Sequence, residues 1–473
     1  MTSTVSRLKY GTVGHWIAGQ ATSGTGDTLP VHNPATGEVI AESALADAAL
    51  VGRAVGAARS AWPAWAGTPV KERVQVLYRY RELLLRHRSE LAGLITEEHG
   101  KLGPEAAAEI DRAVELTEFA CAIPQFATGE VLEVARGVEC RLERFPVGVV
   151  ASIVPFNFPV MVPHWTIPNA IALGNCLVLK PSERVPLSAR RTAELLGEAG
   201  LPPGVFTLVN GARTAVEALC DHPAVAAVTF VGSTPTAQAV YRRATQQLKR
   251  ALALGGAKNH LLVLPDADPL TTPSAVLNSA IGCAGQRCMA ASVLVALPQT
   301  EGILEQICRL ARAAVPGRDY GPVISRAARE RIERGIAGAV ADGARLLVDG
   351  REVRPPAGCA DGFWIGPTIL DQVTPGMGIA DEEIFGPVLA VMRAGSLEDA
   401  LALQQQSRYG NAASIFTRDG AAARALLDRA SAGMLGVNIG VPVPREPFPF
   451  GGWNASKYGV GDITGQSAIE FFT

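Results

Sequence analysis

The chain has 473 residues, which is more than a single hydrophobic core usually serves, so we expect two or three domains. Hydrophobic residues at 48% and charged residues at 19% exclude a disordered chain, and a formal net charge of -2 argues against a nucleic-acid or polybasic membrane surface. Residues 1–10 lack the apolar core of a secretory signal, and no stretch approaches the roughly 18 apolar residues of a membrane span. The eight cysteines are dispersed, as in proteins of a reducing compartment. We therefore expect a cytoplasmic protein without nucleic-acid or membrane partners.

Apolar periodicity divides the chain into an N-terminal helical region and regions of alternating strands and helices. Helical spacing of apolar residues predicts helices over 46–65, 70–99 and 106–120. From residue 147, short apolar runs predict strands at 149–153, 176–179, 205–209 and 225–231, separated by helical segments at 159–173, 187–198, 212–220 and 236–245. This alternation indicates a parallel sheet covered on both faces, which binds ligands at the carboxyl ends of its strands.

A second pattern of the same kind begins near Lys258. It contains helical segments at 274–281, 301–313 and 327–341 and strand-like runs at 388–392, 413–416 and 435–437. The fold class is therefore predicted as α/β. No strand is followed by the Gly-x-Gly-x-x-Gly pattern of ordinary dinucleotide-binding folds, so the strand pattern alone does not specify a cofactor.

Cys288 lies in the segment GQRCMAA, residues 285–291, next to a fixed positive charge on Arg287. A thiol is a nucleophile only as the thiolate, and a neighbouring cation is one route to a lower thiol pKa. On local sequence alone, a free cysteine is more often a small buried hydrophobic residue. Cys283 and Cys288 have no second Cys or His pair at ligand spacing, so no metal is expected.

Segments dispersed along the chain resemble one family, the aldehyde dehydrogenase superfamily. They are 155–159 (PFNFP), 179–183 (LKPSE), 230–233 (FVGS), 285–288 (GQRC), 382–388 (EEIFGPV) and 449–452 (PFGG). In this order the resemblance covers nearly the whole chain. Two segments, 257–260 (AKNH) and 285–290 (GQRCMA), further resemble the CoA-acylating methylmalonate-semialdehyde dehydrogenase branch.

The resemblance implies a domain organisation. It predicts a Rossmann-type NAD-binding domain over 1–127 and 147–256, an α/β catalytic domain over 257–455, and a small β oligomerisation element over 128–146 and 456–473. Family members usually end in a strand that pairs across a subunit interface. Because this chain ends at Thr473, that strand is predicted to be short or missing, with 131–145 as an unpaired edge. A homodimer or homotetramer is expected.

Two residues are assigned to catalysis by the resemblance. Cys288 would attack the aldehyde carbon, and the Asn157 side-chain amide with the backbone N–H of Cys288 would stabilise the resulting oxyanion. Hydride transfer to a nicotinamide would leave an acyl thioester on the cysteine. The alternative for Asn157 is a turn residue between two phenylalanines.

NAD is the implied cofactor. Lys180 and Glu183 would contact the adenosine ribose, and Glu183 would repel a 2′-phosphate, which favours NAD over NADP although Arg184 weakens the preference. The other residues implied to bind it are Pro155, Phe156 and Ser182, then Gly232 and Ser233 at a helix start that suits a pyrophosphate, and Glu383 and Phe385 at the nicotinamide ribose and ring. The alternative for all of them is ordinary strand-end and turn chemistry.

Leu254 marks a departure from most of the superfamily. Hydrolytic members carry a glutamate at the matching position as the base for the deacylating water, and leucine cannot accept a proton. The CoA-acylating branch also lacks that glutamate. Coenzyme A is therefore the expected acyl acceptor.

Three arginines are candidates for holding a substrate carboxylate. Residues matching Arg112 and Arg287 do so in the resembling branch, and a guanidinium offers a carboxylate a bidentate match. The alternative for Arg112 is a solvated helix face. Arg445 lies in a loop that resembles substrate-lining segments and would replace or supplement this clamp. His164 and His260 have no Cys or carboxylate neighbours in sequence and are interpreted as structural.

The leading hypothesis is NAD-dependent oxidation of a small acidic semialdehyde, such as malonate or methylmalonate semialdehyde, with acyl transfer to CoA. A bound substrate carboxylate would lie β to the new thioester carbonyl and could leave as carbon dioxide. The nearest alternative is a hydrolytic NAD(P)-dependent dehydrogenase of another acidic aldehyde, such as succinate semialdehyde, with a base from elsewhere in the site. A thiol hydrolase and a non-catalytic relative are the alternatives from other classes.

Overall fold

A computed structural model describes residues 8–24 and 26–473 of the chain. The strands are β1 Thr12–Val13, β2 His15–Ile17, β3 Gln20–Thr22, β4 Thr28–His32, β5 Val39–Ala44, β6 Glu130–Ala135, β7 Val138–Leu142, β8 Val149–Ile153, β9 Cys176–Lys180, β10 Phe206–Leu208, β11 Val225–Val231, β12 Arg250–Leu254, β13 Asn259–Val263, β14 Ala291–Ala296, β15 Arg345–Val348, β16 Thr368–Asp371, β17 Val388–Arg393, β18 Tyr409–Gly410, β19 Ala412–Phe416, β20 Met434–Val437, β21 Trp453–Asn454 and β22 Lys457–Tyr458.

The helices are α1 Ala48–Gly67, α2 Val70–Arg86, α3 Arg88–His99, α4 Gly103–Cys121, α5 Ile123–Phe126, α6 Met161–His164, α7 Ile167–Ala172, α8 Pro186–Glu198, α9 Arg213–Asp221, α10 Thr234–Gln246, α11 Thr272–Ile281, α12 Glu301–Ala313, α13 Arg326–Ala341, α14 Gly378–Asp381, α15 Leu397–Gln405, α16 Gly420–Arg429 and α17 Ser467–Phe472, with a 3₁₀ turn at Gly282–Gly285. Within the described part of the chain, no helix has the length and apolar character needed to cross a bilayer.

The first large sheet has eight strands in the order β22-β12-β11-β8-β9-β10-β2-β3. Its five central strands, β12 to β10 in that order, run parallel, and β22, β2 and β3 add antiparallel edges. Taken in chain order, the parallel strands lie 3-2-1-4-5, which places a crevice between β8 and β11, where the strand order reverses. Strands β8 and β9 are buried at every position, because helices cover both faces.

The second large sheet has seven strands in the order β15-β16-β17-β14-β13-β19-β20, all parallel except β15. Successive residues of β13 pack into different cores: Leu262 into one, Leu261 and Val263 into the other. A strand alternates its side chains between the two faces, so both faces are buried. The predicted α/β fold with two such sheets is confirmed.

Most predicted elements match observed ones with small shifts at their ends. The predicted helix over 70–99 is two helices, α2 and α3, which meet at His87. The predicted helix over 159–173 is interrupted between α6 and α7. Two further short strands, β12 and β13, flank the segment of Gly255 and Gly256.

The predicted domain limits can be compared with the sheets. The boundary at 256/257 falls between β12 of the first sheet and β13 of the second, and residues 130–142 form a separate two-stranded hairpin of β6 and β7, exposed at every position. The segment 456–473, predicted to belong to the oligomerisation element with its last strand short or missing, packs against the first sheet. Its β22 pairs with β12, and α17 packs Phe472 into the core of the first sheet. The division into domains remains a proposal.

Candidate active site

A cavity of about 900 Å³ lies at the carboxyl ends of the parallel strands of the first sheet. Six of the predicted cofactor residues line it, namely Pro155, Phe156, Lys180, Ser182, Glu183 and Gly232. They come from the ends of β8, β9 and β11 or the turns that follow. The crevice expected from the strand order therefore collects most of the predicted cofactor residues.

Lys180 and Glu183 form an ion pair in this cavity. The Lys180 Nζ lies 3.2 Å from the Glu183 Oε2, and the lysine side chain is buried while the carboxylate is partly exposed. Burial lowers the pKa of Lys180, and the neighbouring Glu183 opposes that change. The pair presents a partly exposed carboxylate at the end of β9, where it can accept hydrogen bonds from hydroxyl groups.

Helix α10 begins at the edge of the same cavity. The hydroxyl of its N-cap residue Ser233 does not cap a backbone N–H of the helix and lies 3.0 Å from the Thr236 hydroxyl. The first backbone N–H groups therefore have no side-chain cap, and Gly232, Pro235 and Thr236 of this turn line the cavity. A helix start of this kind suits an anionic group.

Glu383 and Phe385 lie between the two sheets. The Glu383 Oε1 accepts a hydrogen bond from the backbone N–H of Ala257 at 3.0 Å, and burial raises the pKa of this carboxyl to about 7. The Phe385 ring makes an edge contact with that of Phe156, with centroids 5.8 Å apart. Phe385 thereby connects the loop before β17 to the first cavity.

Cys288 is held by a strained turn and by two amides. The residues before it, Cys283 and Ala284, have φ angles of 51° and 54°, in the left-handed region that non-glycine residues rarely adopt. The side chains of Asn259 and Asn411 both donate to the Cys288 carbonyl oxygen at 2.8 Å. The strain is thus placed beside the candidate nucleophile.

Gly285 is required in this turn. Its φ is +70°, and a Cβ there would come within 2.1 Å of the Gly386 carbonyl oxygen. The strand–loop segment before β17 therefore packs directly on the turn that carries Cys288.

The pKa of the Cys288 thiol is raised, although the neighbouring Arg287 in the sequence indicates a lowered one. Burial raises the pKa of the thiol to about 12, and the charge of Glu383 adds to this effect. The backbone N–H groups of Cys288 and Met289 and the Arg287 guanidinium lower the pKa, but by less. Arg287 has little effect because its Nε donates to the Cys283 Sγ at 3.2 Å and its Nη2 to Glu105 at 3.0 Å.

Asn157 follows β8 and approaches the same turn. Its Nδ2 donates to the carbonyl oxygen of Gln286 at 2.9 Å, and its side chain is buried. A primary amide has two N–H donors, so one remains for a substrate oxygen. The structure thus brings Asn157 to the Cys288 turn from the opposite sheet.

Cys288 also lines a second cavity, of about 490 Å³. Most of its wall is apolar, formed by Phe158, Met161, Trp165, Met289, Val441, Val443, Phe448 and Phe450. Its ionic residues are Glu105, Glu109, Arg112, Arg287, Arg445 and Glu446. A small aldehyde placed here would reach the Cys288 thiol from an apolar chamber.

The predicted carboxylate-binding arginines all line this cavity. Arg112 is buried, which excludes the solvated helix face, and it is bonded to Glu446 and Glu115. Arg287 is bonded to Glu105. Arg445 is mostly exposed and lies 3.5 Å from Glu115. Each guanidinium therefore already has a carboxylate partner within the chain.

The two histidines and Leu254 line neither of these cavities. His164 Nε2 lies 2.8 Å from the Tyr80 hydroxyl, and His260 Nδ1 lies 2.9 Å from the Lys258 carbonyl oxygen; both are buried. These contacts are structural ones. Leu254 is buried in the core of the first sheet, and the Gly232 N–H donates to its carbonyl oxygen.

Sequence reasoning missed several residues of the site. Asn411 precedes β19 and stands beside no recognisable motif. Glu446 follows Arg445 in the loop that resembles substrate-lining segments, where only the arginine was singled out. Glu105 and Glu109 lie on α4 one turn apart, and the signal available was their four-residue spacing on the helix that also contains Arg112. Of the described residues, no cluster of three His, Cys, Asp or Glu is arranged to hold a metal, and the expectation of a metal-free protein remains a prediction.

Comparison with known proteins supports the motif-based resemblance. Residues 21–473 match the model of the aldehyde dehydrogenase family. Malonate-semialdehyde dehydrogenase 1 of Geobacillus kaustophilus is 45% identical over 97% of this chain and 94% of its own. The NAD complex of a candidate methylmalonate-semialdehyde dehydrogenase from Sinorhizobium meliloti superposes with a TM-score of 0.97 at 42% identity, covering 99% of this chain and 97% of that one. The methylmalonate-semialdehyde dehydrogenase of Oceanimonas doudoroffii gives a TM-score of 0.96 at 44% identity, over 98% and 96%. The chain belongs to the aldehyde dehydrogenase family.

Proposed function

We propose that this aldehyde dehydrogenase oxidises a small acidic semialdehyde with NAD through a thioester on Cys288 and passes the acyl group to coenzyme A. The names of the relatives support malonate or methylmalonate semialdehyde as the substrate class. The observation that carries the choice of acceptor is the state of the carboxylates around Cys288. Among the described residues that line its cavity, no carboxylate is free to activate water.

Each of those three carboxylates is bonded to a cation or to backbone N–H groups. Glu105 accepts from the Cys283 N–H and from Arg287, and Glu446 is bonded to Arg112. Glu109 is paired with Lys101 and accepts the backbone N–H groups of Val160 and Met161. The position of the usual base is the buried Leu254. A thiolate attacks a thioester without a base at that place, so CoA suits this site better than water does.

Particular residues of the chain are assigned to the steps of the reaction. The Cys288 thiolate adds to the aldehyde carbon, and the free N–H of Asn157 with the Cys288 backbone N–H receives the oxyanion. Asn259 and Asn411 fix the Cys288 carbonyl and hence the direction of its side chain. Burial raises the pKa of the Cys288 thiol, so the thiol must lose its proton before it can attack the aldehyde carbon.

The cavity of the first sheet is proposed to hold NAD. Bound there, NAD supplies the hydride acceptor. Lys180 and Glu183 would hold the adenosine ribose, the start of α10 at Gly232 and Ser233 the pyrophosphate, and Glu383 and Phe385 the nicotinamide side, with Pro155, Phe156 and Ser182 as further lining. The carboxylate of Glu183 favours NAD over NADP.

The arginines of the second cavity are proposed to receive the carboxylate of the semialdehyde. Arg112 and Arg287 both line the wall that contains Cys288, and Arg445 lies at its exposed end. After oxidation, the carboxylate of a malonyl thioester is β to the thioester carbonyl, so its loss as carbon dioxide would leave an acetyl group on the cysteine. Transfer to CoA then gives acetyl-CoA.

Product analysis tests this function. Malonate semialdehyde is incubated with NAD, with and without CoA, and the products are identified by mass spectrometry while NADH is followed at the same time. We expect acyl-CoA in proportion to NADH, and slow turnover without CoA. NADH formation at the same rate without CoA, with free acid as the product, would overturn the acylating assignment.

A hydrolytic reaction remains the second candidate, because one carboxyl outside the aldehyde cavity has the right acidity. Burial raises the pKa of Glu383 to about 7, and its charge acts on the Cys288 thiol. A group of this pKa suits a general base at neutral pH. If free acid forms without CoA, E383Q should abolish that product, and L254E should add little to an enzyme that already has a base.

The assembly is proposed to be a homodimer or homotetramer that uses the β6–β7 hairpin. Its side chains are exposed throughout, and those of Val131, Leu132, Val134 and Val138 are more than half exposed. Exposed apolar strands of this kind pair readily with another chain. Light scattering of the protein and of a V131K/V134K variant would test this, with a lower mass expected for the variant.

A further inference from the structure

Arg112 holds a carboxylate of its own chain in two-point geometry. Its Nη2 donates to the Glu446 Oε1 at 2.8 Å, and its Nη1 lies 2.7 Å from the Glu446 Oε2. The two residues are 334 positions apart in sequence and both are nearly buried, with side-chain exposures of 10% and 9%. This is the fork-to-fork arrangement that a guanidinium offers a planar carboxylate.

Glu446 meets Arg112 on the side of the aldehyde cavity. Both residues line that cavity together with Cys288, whereas Glu115, the other carboxylate on Arg112, does not. The carbonyl oxygen of Pro444, from the same loop as Glu446, also lies 3.4 Å from the Arg112 Nη2. The cavity-facing edge of the guanidinium is therefore occupied by the loop that precedes β21.

Most of the other cations at the wall are paired as closely, and Arg445, at the exposed end of the cavity, lies 3.5 Å from Glu115. Arg287 is bonded to Glu105 and to the Cys283 sulfur, and Lys101, beside the cavity, is paired with Glu109. The ionic side chains that line the cavity are three arginines and three glutamates, so their formal charges cancel. An incoming carboxylate meets a wall that is already neutral.

We propose that Glu446 is a specificity-determining residue that competes with the carboxylate of the substrate for Arg112. This inference rests on the proposed function, in which the substrate is an acidic semialdehyde. A carboxylated aldehyde must displace Glu446 from Arg112 before its own carboxylate is held, and an aldehyde that lacks a carboxylate need not. Glu446 therefore raises KM for acidic aldehydes relative to uncharged ones of the same size.

Malonate semialdehyde and propanal provide the matched pair of substrates, since they differ only by a carboxylate in place of a methyl group. The measured quantity is the ratio of kcat/KM for malonate semialdehyde to kcat/KM for propanal, with NAD and CoA saturating. E446Q keeps the shape of the side chain and removes its charge. We expect the ratio to rise about 10-fold or more, the effect of removing one hydrogen-bonded charged competitor.

Glu115→Gln is the matched control, because it removes a carboxylate charge that is bonded to the same guanidinium but does not line the cavity. We expect E115Q to change the ratio by less than about threefold, well below the change expected for E446Q. An equal rise in both variants would show a general electrostatic effect and would overturn the proposal. An unchanged or lower ratio in E446Q would overturn it as well.

A binding measurement tests the competition between Glu446 and a bound carboxylate independently of the reaction that the enzyme catalyses. The alkylation of Cys288 by iodoacetamide is followed by intact mass at increasing concentrations of propanoate, which has the carboxylate but no aldehyde. NAD and CoA are left out. We expect protection of E446Q at about 10-fold lower propanoate than the wild type needs. Equal protection would overturn the role of Glu446. If no aldehyde yields NADH, the proposed function fails, while this measurement still decides whether Glu446 competes for Arg112.

Discussion

The side-chain amides of Asn259 and Asn411 donate to one acceptor, the carbonyl oxygen of Cys288, each over 2.8 Å. Asn259 begins β13 and also donates to the Ala290 carbonyl, while Asn411 lies just before β19, the neighbouring strand. Two adjacent strands of the second sheet thus hold the peptide that follows the thiol. A sheet is a rigid support, so the direction of the Cys288 side chain is set by elements with little freedom to move.

Replacing Asn411 with Asp should reduce turnover with little loss of fold. The change keeps the shape but puts a carboxylate oxygen where the Cys288 carbonyl needs a donor, so the two oxygens repel. Loss of one such hydrogen bond corresponds to about 1–3 kcal/mol, and we expect kcat to fall by about 10- to 100-fold. Steady-state kinetics and circular dichroism would check this.

Asn454→Asp serves as the control for Asn411. Asn454 donates to the Ser431 hydroxyl at the surface, so the same chemical change occurs away from the cysteine. Turnover in N454D should stay within about twofold of the wild type, as is usual for surface substitutions. Equal losses in the two variants would contradict the assigned positioning role of Asn411.

The pH dependence of Cys288 alkylation should reflect its raised pKa. Because the thiol pKa in the protein without ligands is about 12, the reactive thiolate remains a minor species far above neutral pH. The rate with iodoacetamide should therefore rise about tenfold for each pH unit from 7 to 10 without levelling off. The rate at each pH would be measured by quenching the alkylation at set times and recording the intact mass, with C288S as the background. A plateau below pH 9 would mean that the thiol is ionised more easily than its surroundings indicate.

Cofactor preference should depend on Glu183. Its partly exposed carboxylate is paired with Lys180, and removal of the charge in E183Q takes away repulsion of a 2′-phosphate while leaving Lys180 to attract it. We expect the ratio of kcat/KM for NADP to that for NAD to rise about 10-fold or more. Glu217→Gln, which lines the same cavity at helix α9, is the control. A ratio that changes equally in both variants would assign the preference to overall charge instead of to Glu183.

Local patterns were sufficient for several elements of the fold, although the central strands β13 and β14 of the second sheet were not predicted. The run 149–153 is apolar at every position because helices cover both faces of β8, and a pattern within five residues was enough to predict it. The motifs likewise placed Lys180, Glu183 and Gly232 at strand ends, and the parallel topology brings those ends together at one cavity. These predictions depend on short stretches of chain and on a general rule of sheet geometry.

The ion-pair and hydrogen-bond partners of the site residues could not be predicted from local sequence patterns. That Arg112 faces Glu446, or that Arg287 turns from Cys288 to Glu105, depends on how helix α4 and a distant loop pack against the cysteine turn. An arginine beside a cysteine in sequence indicates a nearby charge, and only the packing decides where its guanidinium points. For the same reason the pKa of Cys288 could not be predicted from the neighbouring Arg287, since burial is a property of the assembled core.

The buried pair of Lys101 and Glu109 should stabilise the segment that presents Asn157. Both side chains are fully buried, Lys101 Nζ lies 3.7 Å from the centre of the Phe158 ring, and Glu109 accepts the N–H groups of Val160 and Met161. K101M removes one partner and leaves a buried carboxylate uncompensated, which costs about 3–5 kcal/mol. In K101M/E109Q no unpaired charge remains, and the glutamine oxygen can still accept from the backbone. Calorimetry should therefore give the lowest melting temperature for K101M, a higher one for the double variant and the highest one for the wild type. A double variant that melts no higher than K101M would show that the penalty comes from lost packing of the lysine side chain and not from the unpaired carboxylate.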